Sequence, residues 1–178
     1  MERLADSVVS PAGPADAAAL ASVHVRAWRE TYVSLLPAAY LARMDVASHA
    51  ARWRRRLTLA RPGEAVLLAE GPGDALGYVW GATPAGATEA EVFTLYLLRA
   101  AQGRGLGRRL LACAARVLAG EGAERLRLWV LNGNRPAIGF YGHLGGRAAA
   151  ERPVAGFFGL FETAYVWDDI RRLTEAEV

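Results

Sequence analysis

The chain has 178 residues, 53% of them hydrophobic, which suits one globular domain over 1–178 and excludes a disordered chain. The net charge is only +3, from 21 basic and 18 acidic residues, and every basic residue is arginine. A pI near 9.4 is compatible with nucleic-acid binding, but no long basic block exists, so no nucleic-acid partner is expected.

In chain order, residues 1–7 read as a loose end, and Val8-Val9 as a short strand stopped by Pro11 and Pro14. Asp16 is placed to cap a helix running through Leu20, Val23, His24 and Ala27 to about Tyr32. Pro37 opens a second helix, and a third covers about Ala47 to Leu59. In the third helix Arg52, Arg54, Arg55 and Arg56 form a solvated face. Ala65–Glu70 and Leu76–Ala82 are strands of a hairpin around Gly71-Pro72-Gly73-Asp74. Late in the chain, Leu126–Leu131, Ala148–Arg152 and Leu160–Trp167 read as strands. A short helix from Pro136 to Leu144 and a loop carrying Phe157 and Phe158 separate them, and a polar tail starts at Asp168.

The centre of the chain carries the chemistry. Val92 to Leu98 is apolar or β-branched at almost every position, with Val92, Thr94, Tyr96 and Leu98 expected on one face and Phe93, Leu95 and Leu97 on the other. Such a strand is covered on both sides. Gly103, Gly105 and Gly107 follow. Leu106, Leu110, Leu111, Ala114, Val117 and Leu118 then recur at helical spacing, with Cys113 as a small core residue. A strand, a glycine turn and a helix make an anion site, because the first helical N–H groups lack intrahelical partners and the helix dipole adds positive charge. Arg104, Arg108 and Arg109 place cations beside it. The plainer alternative is a turn that needs glycine only for its backbone angles. A Walker loop is excluded because there is no lysine, and a dinucleotide fingerprint because Arg108 stands where the third glycine belongs.

Two motifs remain: Gln102-Gly-Arg-Gly-Leu-Gly107 after the strand, and Asn134-Arg-Pro-Ala-Ile-Gly-Phe-Tyr141 with Gly145 after Leu126–Leu131. Together they resemble, in order and spacing, the GCN5-related N-acetyltransferase (GNAT) family, and His24-Val-Arg-Ala-Trp-Arg-Glu-Thr-Tyr32 resembles that family's first helix. The resemblance implies a mixed α/β fold (α+β). Its mostly antiparallel sheet of about seven strands has helices on both faces, and its fourth and fifth strands are parallel and splay apart. It implies acetyl-CoA as co-substrate, an amine acceptor and no metal.

By position, the resemblance assigns Gln102, Gly103, Arg104, Gly105, Leu106, Gly107 and Arg108 to the pyrophosphate. It assigns the backbone of Leu95, Tyr96 and Leu97 to the pantetheine, and Asn134 to the cofactor, while Asn132 reads as a turn residue. It makes the Leu97 N–H, at a bulged end of the strand, the oxyanion donor. Tyr141 becomes the acid for the leaving thiolate, and Glu91 the base acting through water. Trp28 and Tyr32 would wall the acceptor, as would Phe157 and Phe158. Some family members carry a glutamate where Trp129 stands, so that base is absent. Read from the residues alone, Glu91 is equally an exposed strand-end glutamate, Tyr141 a packed helix aromatic, and Trp28 a core residue.

His24, His49 and His143 have no ligand spacing, and no Gly-x-Ser-x-Gly occurs, which sets aside zinc and serine-hydrolase chemistry. A single cysteine rules out an intrachain disulfide. No run approaches the roughly 18 apolar residues of a membrane span. The opening Met-Glu-Arg-Leu-Ala-Asp lacks a signal-peptide layout, so a cytoplasmic protein without membrane attachment is expected. A non-catalytic acyl-CoA sensor or scaffold of the same fold is the alternative function. Dimerisation through an edge strand or the C-terminal strand is left open, and the acceptor's identity is not legible.

Overall fold

The computed structural model describes residues 7–59 and 61–174. Most of the expected loose N-terminal end and the last part of the polar tail lie outside these residues. A seven-stranded sheet runs in the order β1-β2-β3-β4-β5-β7-β6. Its strands are β1 (Val8–Pro11), β2 (Glu64–Gly71), β3 (Asp74–Ala82), β4 (Glu89–Leu97), β5 (Arg125–Leu131), β6 (Arg147–Pro153) and β7 (Phe161–Trp167). Every pairing is antiparallel except β4 with β5. That parallel pair needs a crossover, supplied by helix α4 (Leu106–Gly120).

Helices cover both faces. On one side α1 (Ala17–Thr31) and α3 (Val46–Thr58) pack over Leu68, Tyr78 and Leu98. On the other, α4 and α5 (Arg135–His143) join Val92, Leu126, Leu128 and Trp167 in the larger core. The short α2 (Ala38–Ala42) follows Pro37, and α6 (Arg171–Thr174) adds Leu173 to the larger core. In α4, Leu110, Leu111, Ala114 and Leu118 are wholly buried, as their helical spacing requires, while Cys113 is half-buried against the same core. Among the described residues no helix is long and apolar enough to cross a membrane.

Three expectations are corrected. The faces of the central strand do not alternate cleanly. The register shifts between Trp80 and Gly81, so that Thr94 pairs with Trp80 and Val92 with Gly81, leaving Phe93 as an inserted residue. The bulge reverses the side-chain parity. Val92, Leu95 and Leu97 therefore share the α4 side, and Tyr96 and Leu98 the α1 side. Asp16 occupies the cap position of α1 but gives that helix no side-chain bond. Its Oδ2 instead accepts the Gly13 N–H at 2.7 Å. Arg109 does not stand free beside the glycine turn, because its guanidinium donates to the Ser7 carbonyl and ties the start of β1 to α4.

Both sheet edges are blunted against pairing with another strand. β1 has four residues and ends in proline. β6 is exposed along its whole length, but it carries Arg147, Glu151, Arg152 and Pro153 and has a register shift between Ala148 and Ala150.

Candidate active site

β4 and β5 are in register only from Glu89–Arg125 to Val92–Leu128, although β4 continues to Leu97 and β5 to Leu131. Beyond Val92 the two strands part. A cavity of about 640 Å³ occupies the gap, lined by Thr94, Leu95, Leu97, Trp129, Leu131 and Tyr141 among others. That volume lies within the range of small-ligand sites.

The backbone at the gap is unpaired for a geometric reason. Leu98 N–H donates to the Leu76 carbonyl of β3 at 2.9 Å. Antiparallel bonding alternates from there, so Leu98, Tyr96 and Thr94 turn their backbone groups to β3. The N–H and C=O of Leu95 and Leu97 consequently point the other way, into the gap. One of them is already used. The Leu97 carbonyl accepts the Gln102 side-chain amide at 3.2 Å, which ties the following turn to the strand end.

The turn supplies a second set of free donors. Arg99–Ala101 forms a single 3-10 turn, Gly103 has φ 72° and Gly105, at the N-cap of α4, has φ 79°. The first α4 acceptor is the Gly105 carbonyl, which takes the Arg109 N–H at 3.0 Å. Among the described residues, the N–H groups from Gly103 to Arg108 have no backbone acceptor. Arg104 and Arg108 are exposed beside them. Gly107 plays a different part: a Cβ there would lie 3.3 Å from the Phe140 side chain and 3.4 Å from that of Leu97, a tight contact that glycine avoids. Free amides, a helix N-terminus and two arginines thus fit a diphosphate-bearing ligand, and the same cavity runs from them to Tyr141.

Tyr141 is buried, with its ring against Phe140, Tyr165 and Trp167 at centroid separations of 5.1, 6.2 and 6.1 Å. Burial first, and then the nearby Tyr32, push its phenol well above the usual tyrosine range. Asn134 lines the same cavity and caps α5, its Oδ1 accepting the Ala137 N–H at 3.3 Å. Asn132 is more than a turn residue. It donates to Glu151 and accepts from Thr163, each at 2.7 Å, holding β5 to β6 and β7.

Tyr32 lines the cavity, and burial raises its phenol also. Trp28 packs on it, with ring centroids 5.0 Å apart. Glu91 does not line the cavity; its carboxylate pairs with Arg127 at 3.2 Å. Phe158 is fully exposed and Phe157 packs on Tyr40 at 4.9 Å, both outside the cavity lining.

Four features were not anticipated from the sequence. One is the Phe93 bulge, for which Gly81 in the facing strand was the available signal. Another is a reciprocal clasp at the cavity rim. Glu30 accepts the Arg99 N–H at 2.7 Å, and the Arg99 guanidinium donates to the Glu30 carbonyl at 2.7 Å. Leu35, in the loop after α1, also enters the wall. The last is a bond of 2.6 Å between His24 Nδ1 and the Tyr78 hydroxyl, with the His49 ring 4.5 Å from His24. Among the described residues, no three His, Cys, Asp or Glu are grouped to hold a metal ion.

Comparison with known proteins agrees with this geometry. Residues 25–145 match the sequence model of the acetyltransferase (GNAT) family. YuaI, an uncharacterised N-acetyltransferase of Bacillus subtilis (strain 168), is 31% identical over 163 residues, spanning 86% of this chain and 88% of its own. The PaiA N-acetyltransferase of Thermoplasma acidophilum, solved with coenzyme A, shares the fold at a TM-score of 0.71 and 19% identity, over 89% of this chain and 98% of that one. YncA of Salmonella typhimurium, solved with acetyl-CoA, aligns at a TM-score of 0.69 and 24% identity, over 91% and 93% of the two chains. On the family match and the relative that spans most of both chains, this chain belongs to the acetyltransferase (GNAT) family and is an acetyl-CoA-dependent acyltransferase.

Proposed function

We propose that the protein acetylates a primary amine by direct attack, with residues 1–178 working as one domain and no acyl-enzyme stage. The observation that carries this reading is the continuous path from the free amides of Gly103–Arg108, along the gap between β4 and β5, to Tyr141. Bound acetyl-CoA would supply the thioester: the amine nitrogen adds to its carbonyl carbon, and the C–S bond of the resulting tetrahedral oxyanion then breaks to release the thiolate.

The amides of Gly103, Gly105, Leu106, Gly107 and Arg108, with the guanidinium groups of Arg104 and Arg108, would grip the diphosphate, and Gln102 would brace the turn. The Leu95 and Leu97 backbone, flanking Tyr96, would bond the pantetheine arm. Leu97 keeps its assignment as oxyanion donor. Leu95 N–H faces the same gap nearer the point where the strands part, and shares that task.

An alkyl ammonium with a pKa near 10.4 is neutral in fewer than about one molecule in a thousand at pH 7, so a base must take its proton. Glu91 is the base in this reading, acting through water from one residue before Val92. Arg127 holds its Oε2, which leaves Oε1 to orient that water. Tyr141 returns a proton to the departing thiolate, while Asn134 and Tyr32 shape the wall around it. Trp28 backs Tyr32.

The Glu91–Arg127 pairing is also the observation that favours the rival sensor reading, because it gives the carboxylate a structural task. One experiment separates the two: titrate coenzyme A calorimetrically, then follow thiol release from acetyl-CoA across an amine panel. Coenzyme A binding with amine-dependent release supports the enzyme. Binding without release by any amine supports the sensor, and no binding heat sinks both.

Gly105 allows a sharper check of the turn. A Cβ there meets no atom within 4 Å, so alanine is strained only by the positive φ, at about 1–2 kcal/mol. Gly105→Ala should lower the melting temperature modestly and weaken coenzyme A roughly tenfold, the loss of about one charge-assisted bond. Unchanged affinity would detach the turn from the ligand.

A further inference from the structure

A second, smaller concavity opens beside the glycine turn. It encloses about 180 Å³ between α4, the C-terminal end of α5 and the short α6, and is lined by Arg108, His143, Leu144, Arg172 and Leu173. Pockets for whole ligands start at roughly 300 Å³, so this one suits a single group. Three of the five lining residues carry N–H donors on their side chains. Among the described residues, no ion pair or side-chain hydrogen bond uses Arg108, His143 or Arg172. Asp169, close to Arg172 in the chain, is held by Arg171 through both oxygens, each at 2.9 Å.

The wall is fixed in place. Leu173 is buried in the larger core, the Ile170 N–H donates to the Glu124 carbonyl at 2.8 Å, and Arg116 on α4 donates to the Thr174 carbonyl at 3.0 Å. These ties dock α6 on α4 and bring Arg172 to the concavity. Bare carbonyls at the end of α5 would repel an anion, but those of Phe140, Tyr141 and Gly142 already accept the N–H groups of Leu144, Gly146 and Gly145.

We infer that this concavity binds the 3′-phosphate of coenzyme A, with Arg172 and His143 as its contacts. The inference rests on the reading that the Gly103–Arg108 turn grips the diphosphate, and extends it. Both phosphate groups hang from one ribose, at its 5′ and 3′ positions, so a site for the second must adjoin the site for the first. Arg108 lines both cavities and so stands between them. A phosphate monoester carries a charge of about −1.5 to −2 at pH 7 and three acceptor oxygens. A guanidinium fork matches two of those oxygens, and an imidazole offers an N–H in either protonation state. Arg172 lies outside the family-matched residues 25–145, so this contact belongs to the chain's own C-terminal segment.

Coenzyme A and 3′-dephospho-coenzyme A differ only in that phosphate. By calorimetry the wild-type protein should bind coenzyme A tighter by about tenfold or more, the worth of about one charge-assisted bond. Salt screens exposed charges, so the ratio should shrink between about 0.05 and 0.5 M NaCl. Arg172→Ala should cut the ratio to about threefold or less by weakening coenzyme A alone. Arg172→Lys, which keeps a charge but loses the fork, should fall between the alanine variant and the wild type. Gly105→Ala should instead weaken both ligands alike. Equal wild-type affinities, a ratio unmoved by Arg172→Ala, or an equal loss for both ligands in that variant overturns the inference and leaves the turn reading standing. Failure of the wild-type protein to bind either ligand removes the turn reading and this inference with it.

Discussion

Tyr141→Phe should lower kcat about a hundredfold while leaving coenzyme A affinity within about threefold, at the lower end of what a positioned general acid contributes. The substitution removes one oxygen and nothing else. The ring is held by Phe140, Tyr165 and Trp167, and phenylalanine keeps all three contacts. No hydrogen bond joins the Tyr141 hydroxyl to another described residue, so its loss strands no partner and little change in melting temperature is expected.

The proton balance of that step is not trivial. A phenol near its ordinary pKa of about 10 gives a proton to a thiolate near 8.5 at a cost of roughly 2 kcal/mol. Burial pushes Tyr141 higher and makes it a weaker acid. The same dry cavity penalises the thiolate too, raising its pKa and narrowing the gap again. The transfer is thus tolerable as a transient step but not as a resting state. Steady-state kinetics with a responsive amine, beside calorimetry of coenzyme A, is the measurement. A kcat within about threefold of wild type would show that the leaving thiolate finds its proton elsewhere, and Tyr141 would revert to a packing residue.

What the sequence discloses, and what it hides, follows from how far apart in the chain the interacting groups lie. The glycine turn and α4 are legible because their causes are local: three glycines, an apolar run and a helical repeat within one stretch. The parting of β4 and β5 is legible only through the family resemblance, since no residue in either strand announces where a parallel ladder stops. The Phe93 bulge escapes because a period of two reads as unbroken unless the facing strand is known. It turns on the shift between Trp80 and Gly81 on that facing strand. The clasp between Glu30 and Arg99 spans 69 residues, the bond between His24 and Tyr78 spans 54, and the tie from Arg109 to Ser7 spans 102. Contacts at such separations carry no periodicity, and they decide the outcome for Arg109 and for His24. The pairing of Glu91 with Arg127 is of the same kind, set by the register between β4 and β5.

Lowering the pH from 7 to 4.5 should cost the protein about 2–3 kcal/mol of folding stability through His24 alone. Burial, then the charge of His49, then that of Arg52 lower its pKa to about 4, against 6.5 for a free imidazole. A histidine depressed on folding binds its proton more readily in the unfolded chain. Stability therefore rises with pH between the two values, is fully present above about 6.5, and is lost as pH falls toward about 4. The full difference corresponds to about 3 kcal/mol.

The groups facing His24 set this behaviour. Trp28 comes from its own helix, Tyr78 from β3, Tyr96 from β4, and His49 with Arg52 from α3. None of them offers a carboxylate to steady an imidazolium; Asp45 acts on His49 instead. His49 is itself lowered, by burial first, and its protonation acts on stability in the same direction. The lowered carboxyls of Asp45, Asp168 and Asp169 titrate below their ordinary 3.8, so their contributions fall outside this window. Urea denaturation at intervals from pH 7 to 4.5, for the wild type and His24→Asn, isolates the contribution of His24. Asparagine can still bond the Tyr78 hydroxyl, as donor or as acceptor, but does not titrate, so its stability curve should run flatter by about 2–3 kcal/mol across the interval. Parallel curves for the two proteins would mean that His24 is charged, or solvated, in the folded state, and that the aromatic cluster around it is looser than its ring separations imply.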